Sequence, residues 1–179
     1  MAQNKLKSSK ILGIIVLTFV LGLISGWILF LEFSTLKEIL LYRVEEVVDG
    51  DTIKVNNGSG TATIRLLGIN TPEVKSSYSE EECFGQEASQ ELKNFLLGRV
   101  VHLIPDPKAS DKDKYGRLLR YVFLTDGTFV NGFLVKRGLA FNYIYGNEVL
   151  EFTPHFADLE AKAKEERVGL WGEGCDYAK

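Results

Sequence analysis

Residues 11–31 form an unbroken apolar run with no charged position, made mostly of Ile, Leu, Val and Phe. At about 1.5 Å per residue, a helix of that length spans roughly 30 Å, the thickness of a bilayer's hydrocarbon core. No face of the run is polar, which argues against a helix packed on a soluble core. Lys5, Lys7 and Lys10 precede it, while Lys37 and Glu38 behind it nearly cancel. Positive charge stays on the cytoplasmic side. The pattern predicts a single transmembrane anchor over residues 11–32, after a basic cytoplasmic N-terminus of residues 1–10. The remainder is expected outside the cytoplasm. The rival reading is a cleaved signal peptide releasing a secreted protein, but the run is long for one and no A-x-A-like site follows.

Behind the apolar run the pattern shortens. Residues 33–42 read as a juxtamembrane linker or short helix, and a globular domain is expected over 43–177. Residues 44–48, 52–55 and 62–67 are short and rich in β-branched side chains. Asp49-Gly50 separates the first pair and Asn56-Asn57-Gly58 with Gly60 the second, so the three predict an antiparallel meander. Residues 84–97 place Ala88, Leu92, Phe95 and Leu96 on one helical face, with Gly98 as the stop. Residues 100–104 and 118–124 predict two more strands. A short helix over 130–136 stops at Gly138. Thr153-Pro154 predicts a helix start, with Thr153 as N-cap and Pro at the first helical position, running to about Arg167. Five short strands with a helix after the third predict a mainly β, α+β domain. It is a five-stranded OB-type barrel with about three helices, a closed sheet whose end loops can carry a site.

Charge narrows the function. The chain has 24 acidic and 21 basic residues, a net charge of −3, and three of the lysines lie ahead of the apolar run. The domain is therefore acidic. That excludes a general nucleic-acid coat, which needs a broad basic surface, but not an enzyme that grips one phosphate locally. The two cysteines, Cys83 and Cys175, have no zinc-type spacing. An even pair in an oxidising compartment is expected to form a disulfide. Glu80, Glu81 and Glu82 read as a solvated acidic loop, since no Gly-containing calcium-loop spacing surrounds them.

Three stretches carry candidate chemistry: Val48-Asp49-Gly50-Asp51-Thr52, Ile64-Arg65-Leu66-Leu67-Gly68-Ile69-Asn70-Thr71-Pro72-Glu73, and Asp113-Lys114-Tyr115-Gly116-Arg117. Singly they are a hairpin turn, a strand with a turn, and a polar loop. In this order, on this strand pattern, they resemble the staphylococcal nuclease (thermonuclease) family over residues 44–171. Phe84-Gly85-Gln86-Glu87-Ala88, Tyr143-Ile144-Tyr145 and Gly169-Leu170-Trp171 agree with that resemblance. It implies a phosphodiesterase with one calcium ion that cuts DNA and RNA and leaves 3′-phosphate ends. Asp51, Asn70 and the Thr71 carbonyl match its metal ligands. Glu73 matches the proposed general base, Arg65 and Arg117 the phosphate-binding arginines, and Asp49 a carboxylate behind the metal. Tyr115, Tyr143 and Tyr145 match the aromatic wall of the nucleotide pocket, and Lys114 is placed to touch the backbone.

The chemistry of these residue types points the same way. Calcium prefers several hard oxygens, including carbonyls. Two guanidinium forks suit the charge that grows on a phosphoryl group under attack. Stacking on Tyr reads no sequence, which suits single-stranded or frayed nucleic acid. Asn70 is the main departure, since the family has Asp there. A catalytically silent binding module of the same fold, for nucleic acid or protein, is the alternative. The retention of Arg65, Glu73 and Arg117 together argues for the enzyme.

Overall fold

The computed structural model describes residues 40–75, 80–145, 149–175 and 177. The expected anchor over 11–32 lies outside the described residues. Among those described, no helix is long and apolar enough to cross a membrane.

Among the described residues there are seven strands and three α-helices. The strands are β1 Leu41–Val47, β2 Thr52–Asn56, β3 Thr61–Leu66, β4 Ile69–Asn70, β5 Val100–Ile104, β6 Leu118–Leu124 and β7 Phe141–Asn142. The helices are α1 Gly85–Leu96, α2 Val130–Lys136 and α3 Thr153–Glu165, followed by a 3-10 turn at Gly169–Trp171. Five strands close a barrel in the order β1-β2-β3-β6-β5. Its pairings are antiparallel except β3–β6, which run parallel with Arg65 opposite Leu119. This is the expected five-stranded barrel with three helices.

Period-2 alternation explains the strands. Val44, Ile53, Val55, Ile64, Leu66, Val101, Val122 and Leu124 point into the barrel and are almost fully buried. Helix α1 closes one end with Ala88, Leu92 and Leu96, spaced four apart and completely buried. Its Phe95 stacks on Phe133 of α2 at 4.2 Å between ring centroids.

The local reading fails at three places. Leu41 and Tyr42 belong to β1 rather than to a linker, because they pair with His102 and Val101 of β5. Thr153 is the first residue of α3, not its cap. Its hydroxyl accepts the Leu150 N–H at 3.0 Å and secures the turn before the helix. Residues 141–142 form β7, a strand that the local pattern does not signal, and Tyr143 and Tyr145 lie beyond its end at Asn142. The missing element is the two-stranded sheet β4–β7, in which Asn70 faces Phe141.

Buried polar groups lock the loops around this frame. Asn131 of α2 accepts the Val122 N–H and donates to the Leu67 carbonyl, each at 2.9 Å. Asp106 accepts the Tyr121 hydroxyl at 2.7 Å and the amides of Lys108 and Glu151, each at 2.8 Å. Burial opposes its ionisation, but these donors hold the Asp106 carboxyl below the usual carboxylate range. A second apolar cluster, Ala163, Leu170 and Trp171, packs on Phe84, Phe141, Val168 and Tyr177. Gly138 and Gly169, both at positive φ, cross so closely that a Cβ on Gly138 would lie 2.2 Å from the Val168 carbonyl oxygen. Cys83 and Cys175 are joined by a disulfide, with Cα atoms 5.8 Å apart.

Candidate active site

The site begins at the turn between β1 and β2. Asp49 Oδ1 accepts the Asp51 N–H at 3.0 Å, which curls the chain at Gly50. A Cβ on Gly50 would sit 2.6 Å from the Thr71 hydroxyl. Glycine is therefore what lets this turn lie against Thr71. The close approach brings Asp51 Oδ2 within 3.1 Å of the Thr71 N–H. Asp51 is almost fully buried, at 6 % exposure.

Arg65 stands opposite Thr52 across the β2–β3 pair and reaches the same corner. One guanidinium nitrogen donates to the Leu66 and Ile69 carbonyls at 2.6 and 2.9 Å. The other lies 2.9 Å from Asp51 Oδ2 and donates to Asn70 Oδ1 at 2.9 Å. Asn70 in turn donates from Nδ2 to the Thr71 carbonyl at 3.2 Å. Asp51, Arg65, Asn70 and Thr71 thus form one closed network. Burial pushes the Asp51 carboxyl up to about 6, against the pull of Arg65 and with a further push from Asp49.

Arg117 arrives from the loop before β6. Asp113 Oδ2 accepts its Nε–H at 2.7 Å, and Asp113 Oδ1 accepts the backbone amides of Tyr115 and Arg117. Burial disfavours the charged Asp113, yet these donors hold its carboxyl below the usual range. The free end of Arg117 donates to the Thr52 hydroxyl at 3.2 Å, and that hydroxyl donates to Asp51 Oδ1 at 3.1 Å. Thr52 therefore links the two arginine systems. It closes the first of the three motifs, but nothing local gives it a role. Its role follows from the β2–β3 register and the loop before β6.

A cleft of about 640 Å³ opens beside this corner. Arg65, Asn70, Lys114, Tyr115, Arg117, Tyr143 and Tyr145 line it, whereas Asp49, Asp51, Thr71 and Glu73 do not. Tyr115 and Tyr145 are largely exposed, at 72 % and 78 %. Lys114 and Arg117 both lie over the Tyr115 ring, at 4.9 and 5.4 Å from its centroid. Two exposed rings with cations beside them can stack a base and meet its phosphate. Glu73 is exposed on the loop that follows Thr71, outside the cleft lining.

The donor set fits a hard cation. Asp51, Asn70 Oδ1 and the Thr71 carbonyl are oxygens within one network, as calcium prefers. A buried carboxyl that resists ionising beside a single guanidinium is the kind of group that a nearby divalent ion relieves. Among the described residues no three His, Cys, Asp or Glu side chains converge. An ion here would rest on one carboxylate and neutral oxygens. Glu80, Glu81 and Glu82 are exposed, as expected of a solvated loop, and Glu82 also bonds to the backbone of Glu73.

Comparison with known proteins agrees with this geometry. The family described as "Staphylococcal nuclease homologue" matches residues 63–173. The chain is 37 % identical over 138 residues to the SPbeta prophage-derived endonuclease YokF of Bacillus subtilis (strain 168), covering 76 % of this chain and 46 % of YokF. It is 34 % identical over 138 residues to endonuclease YncB of the same organism, covering 76 % of this chain and 64 % of YncB. An uncharacterized protein of Methanocaldococcus jannaschii, MJ1439, is 34 % identical over 148 residues, covering 72 % and 70 %. The chain thus spans about half the length of YokF and under two thirds of YncB. With a matched region that runs from β3 to past the 3-10 turn, the chain belongs to the staphylococcal nuclease family.

Proposed function

We propose that this protein is an endonuclease that hydrolyses phosphodiester bonds of DNA and RNA with one bound calcium ion and leaves 3′-phosphate ends. The observation that carries the proposal is the shared corner at Asp51 and Thr52. Arg65 is bonded to one of these residues and Arg117 to the other, at the edge of a cleft with exposed tyrosines. The names of YokF and YncB, both endonucleases, support the reaction class.

In this reading Arg65 and Arg117 bind the phosphate from two sides. Their contacts strengthen as charge builds on its non-bridging oxygens. Asp113 and Thr52 aim Arg117, so little reorganisation is needed at the moment of reaction. Glu73 accepts the proton of the attacking water, a role that suits an exposed carboxylate near neutral pH. Tyr115, Tyr143 and Tyr145 hold the base by stacking, which favours single-stranded or frayed substrate over paired duplex. Asp51, Asn70 and the Thr71 carbonyl would hold the calcium ion, which would supply positive charge beside the phosphate.

The apolar segment tethers the domain to the membrane with its site outside the cytoplasm. Protease added to intact cells should then remove the domain. The reaction itself is tested with the full chain in detergent, incubated with single-stranded DNA and either calcium or chelator. Fragments ending in 3′-phosphate, formed only with calcium, are expected. Binding without cutting would instead identify a silent module of the same fold.

A further inference from the structure

The loop that carries Glu73 is gripped at both faces of its backbone by one residue. The Glu82 N–H donates to the Glu73 carbonyl at 2.9 Å, and Glu82 Oε2 accepts the Glu73 N–H at 3.0 Å. The Glu82 carbonyl in turn accepts the Gly85 N–H at 3.0 Å, at the first turn of α1. A Cβ on Gly85 would lie 2.4 Å from the Glu73 carbonyl oxygen, so the helix start presses directly on the same peptide. Phe84 between them adopts a positive φ of 73°, rare for a bulky side chain, and packs into the cluster around Trp171. Cys83, next to Glu82, is covalently bonded to Cys175. Residues 82–85 are thus anchored to the C-terminal segment by a disulfide and an aromatic ring. Within this stretch, the Glu82 N–H and Oε2 are both spent on Glu73.

We propose that Glu82 is a positioning residue for Glu73, with the Cys83–Cys175 bond holding Glu82 in register. This rests on the reading of Glu73 as the proton acceptor. An exposed carboxylate on a loop has many orientations open to it, and catalysis needs one of them. A small misplacement of a reacting group costs large factors in rate, while ground-state binding through Arg117 and the tyrosines is untouched. The clamp therefore acts on kcat rather than on KM.

The test uses the full chain in detergent with calcium and single-stranded DNA. Glu82→Ala, which keeps the backbone bond but removes the acceptor, should lower kcat roughly tenfold with KM and calcium affinity within twofold. Glu82→Gln retains a carbonyl oxygen for the Glu73 N–H and should restore most of the rate. The paired change Cys83→Ser with Cys175→Ser should lower kcat in the same way. In a Glu73→Gln background, Glu82→Ala should have no further effect, because the two residues act as one unit. Unchanged kcat in Glu82→Ala, or equal losses in kcat from Glu82→Ala with and without Glu73, would overturn the proposal. If Glu73→Gln alone keeps full activity, it is the reading of Glu73 that fails.

Discussion

The guanidinium of Arg65 lies 2.9 Å from the buried carboxylate of Asp51, so the charge expected to meet a phosphate is bonded instead to an expected metal ligand. The same nitrogen also holds Asn70 Oδ1. Arg65 thus occupies the oxygens a cation would take. Metal binding and the release of Arg65 toward substrate are then linked. Arg65→Ala should lower turnover by orders of magnitude, because a phosphate contact that strengthens in the transition state is lost. It should also tighten calcium, by roughly tenfold or more, since a competing cation is gone. Calorimetric titration with calcium reads this directly. Weaker calcium binding in a folded Arg65→Ala protein would refute the competition.

Asn70→Asp is expected to tighten calcium by about 5–30-fold, roughly 1–2 kcal/mol after desolvation and screening. Calcium affinity follows the charge of its ligands. The change also removes the Nδ2 donor that now engages the Thr71 carbonyl, leaving that oxygen free. Without metal, a second carboxylate in contact with Arg65 should leave the protein no more stable than before. Equal calcium affinities for the two forms would mean that position 70 does not touch the ion.

Asp51 predicts a pH dependence of the metal-free protein. Its folded value of about 6 lies above the ordinary 3.8, so folding favours the protonated form. That contribution is complete below about pH 4 and is lost as pH rises through 6. Its scale is about 3 kcal/mol. Asp106 and Asp113 are depressed and contribute in the opposite sense, so the comparison must be made against Asp51→Asn. Urea unfolding in chelator should show wild type losing stability relative to Asp51→Asn between pH 4 and 7. Calcium should reverse that difference. A gap that does not change with pH would show that the buried carboxylate is not strained.

Arg117 offers a cleaner loss of function, because its partners survive its removal. Arg117→Ala should lower kcat/KM by two to three orders of magnitude, about 3–4 kcal/mol. Arg117→Lys should recover little, since an ammonium cannot keep the bonds to Asp113 and Thr52 while meeting a phosphate in a fork. Steady-state kinetics on single-stranded DNA decides it. Near wild-type turnover in the lysine variant would argue that only charge matters here.

Much of the barrel is legible along the chain because its strands are short runs rich in β-branched residues and its turns carry Asp-Gly or Asn-Gly. The five barrel strands and three helices follow from those signals. Elements defined only by distant partners do not. The pair β4–β7 has two residues on each side, too few for any period, and exists because Asn70 and Phe141 meet through space. Leu41 becomes strand for the same reason. At the site, the acids and arginines stand out because three motifs name them. Thr52, although inside the first motif, and Glu82 show no role there, since their parts depend on which loops cross them. Asp113 lies inside a motif, but its hold on Arg117 requires the tight turn at Gly116, where φ is 82°.

The parallel pairing of β3 with β6 sets when the site can exist. Arg65 lies on β3 and Arg117 immediately precedes β6, with α1 and β5 intervening in the chain. Hairpins such as β1–β2 and β2–β3 close over short loops, whereas this contact must wait for a long one. A nascent or half-folded chain can hold Asp51 near Arg65, but it has no second arginine at that corner. On the proposed function, activity regained during refolding would time barrel closure itself, since a chain that stalls before that step lacks the paired arginines.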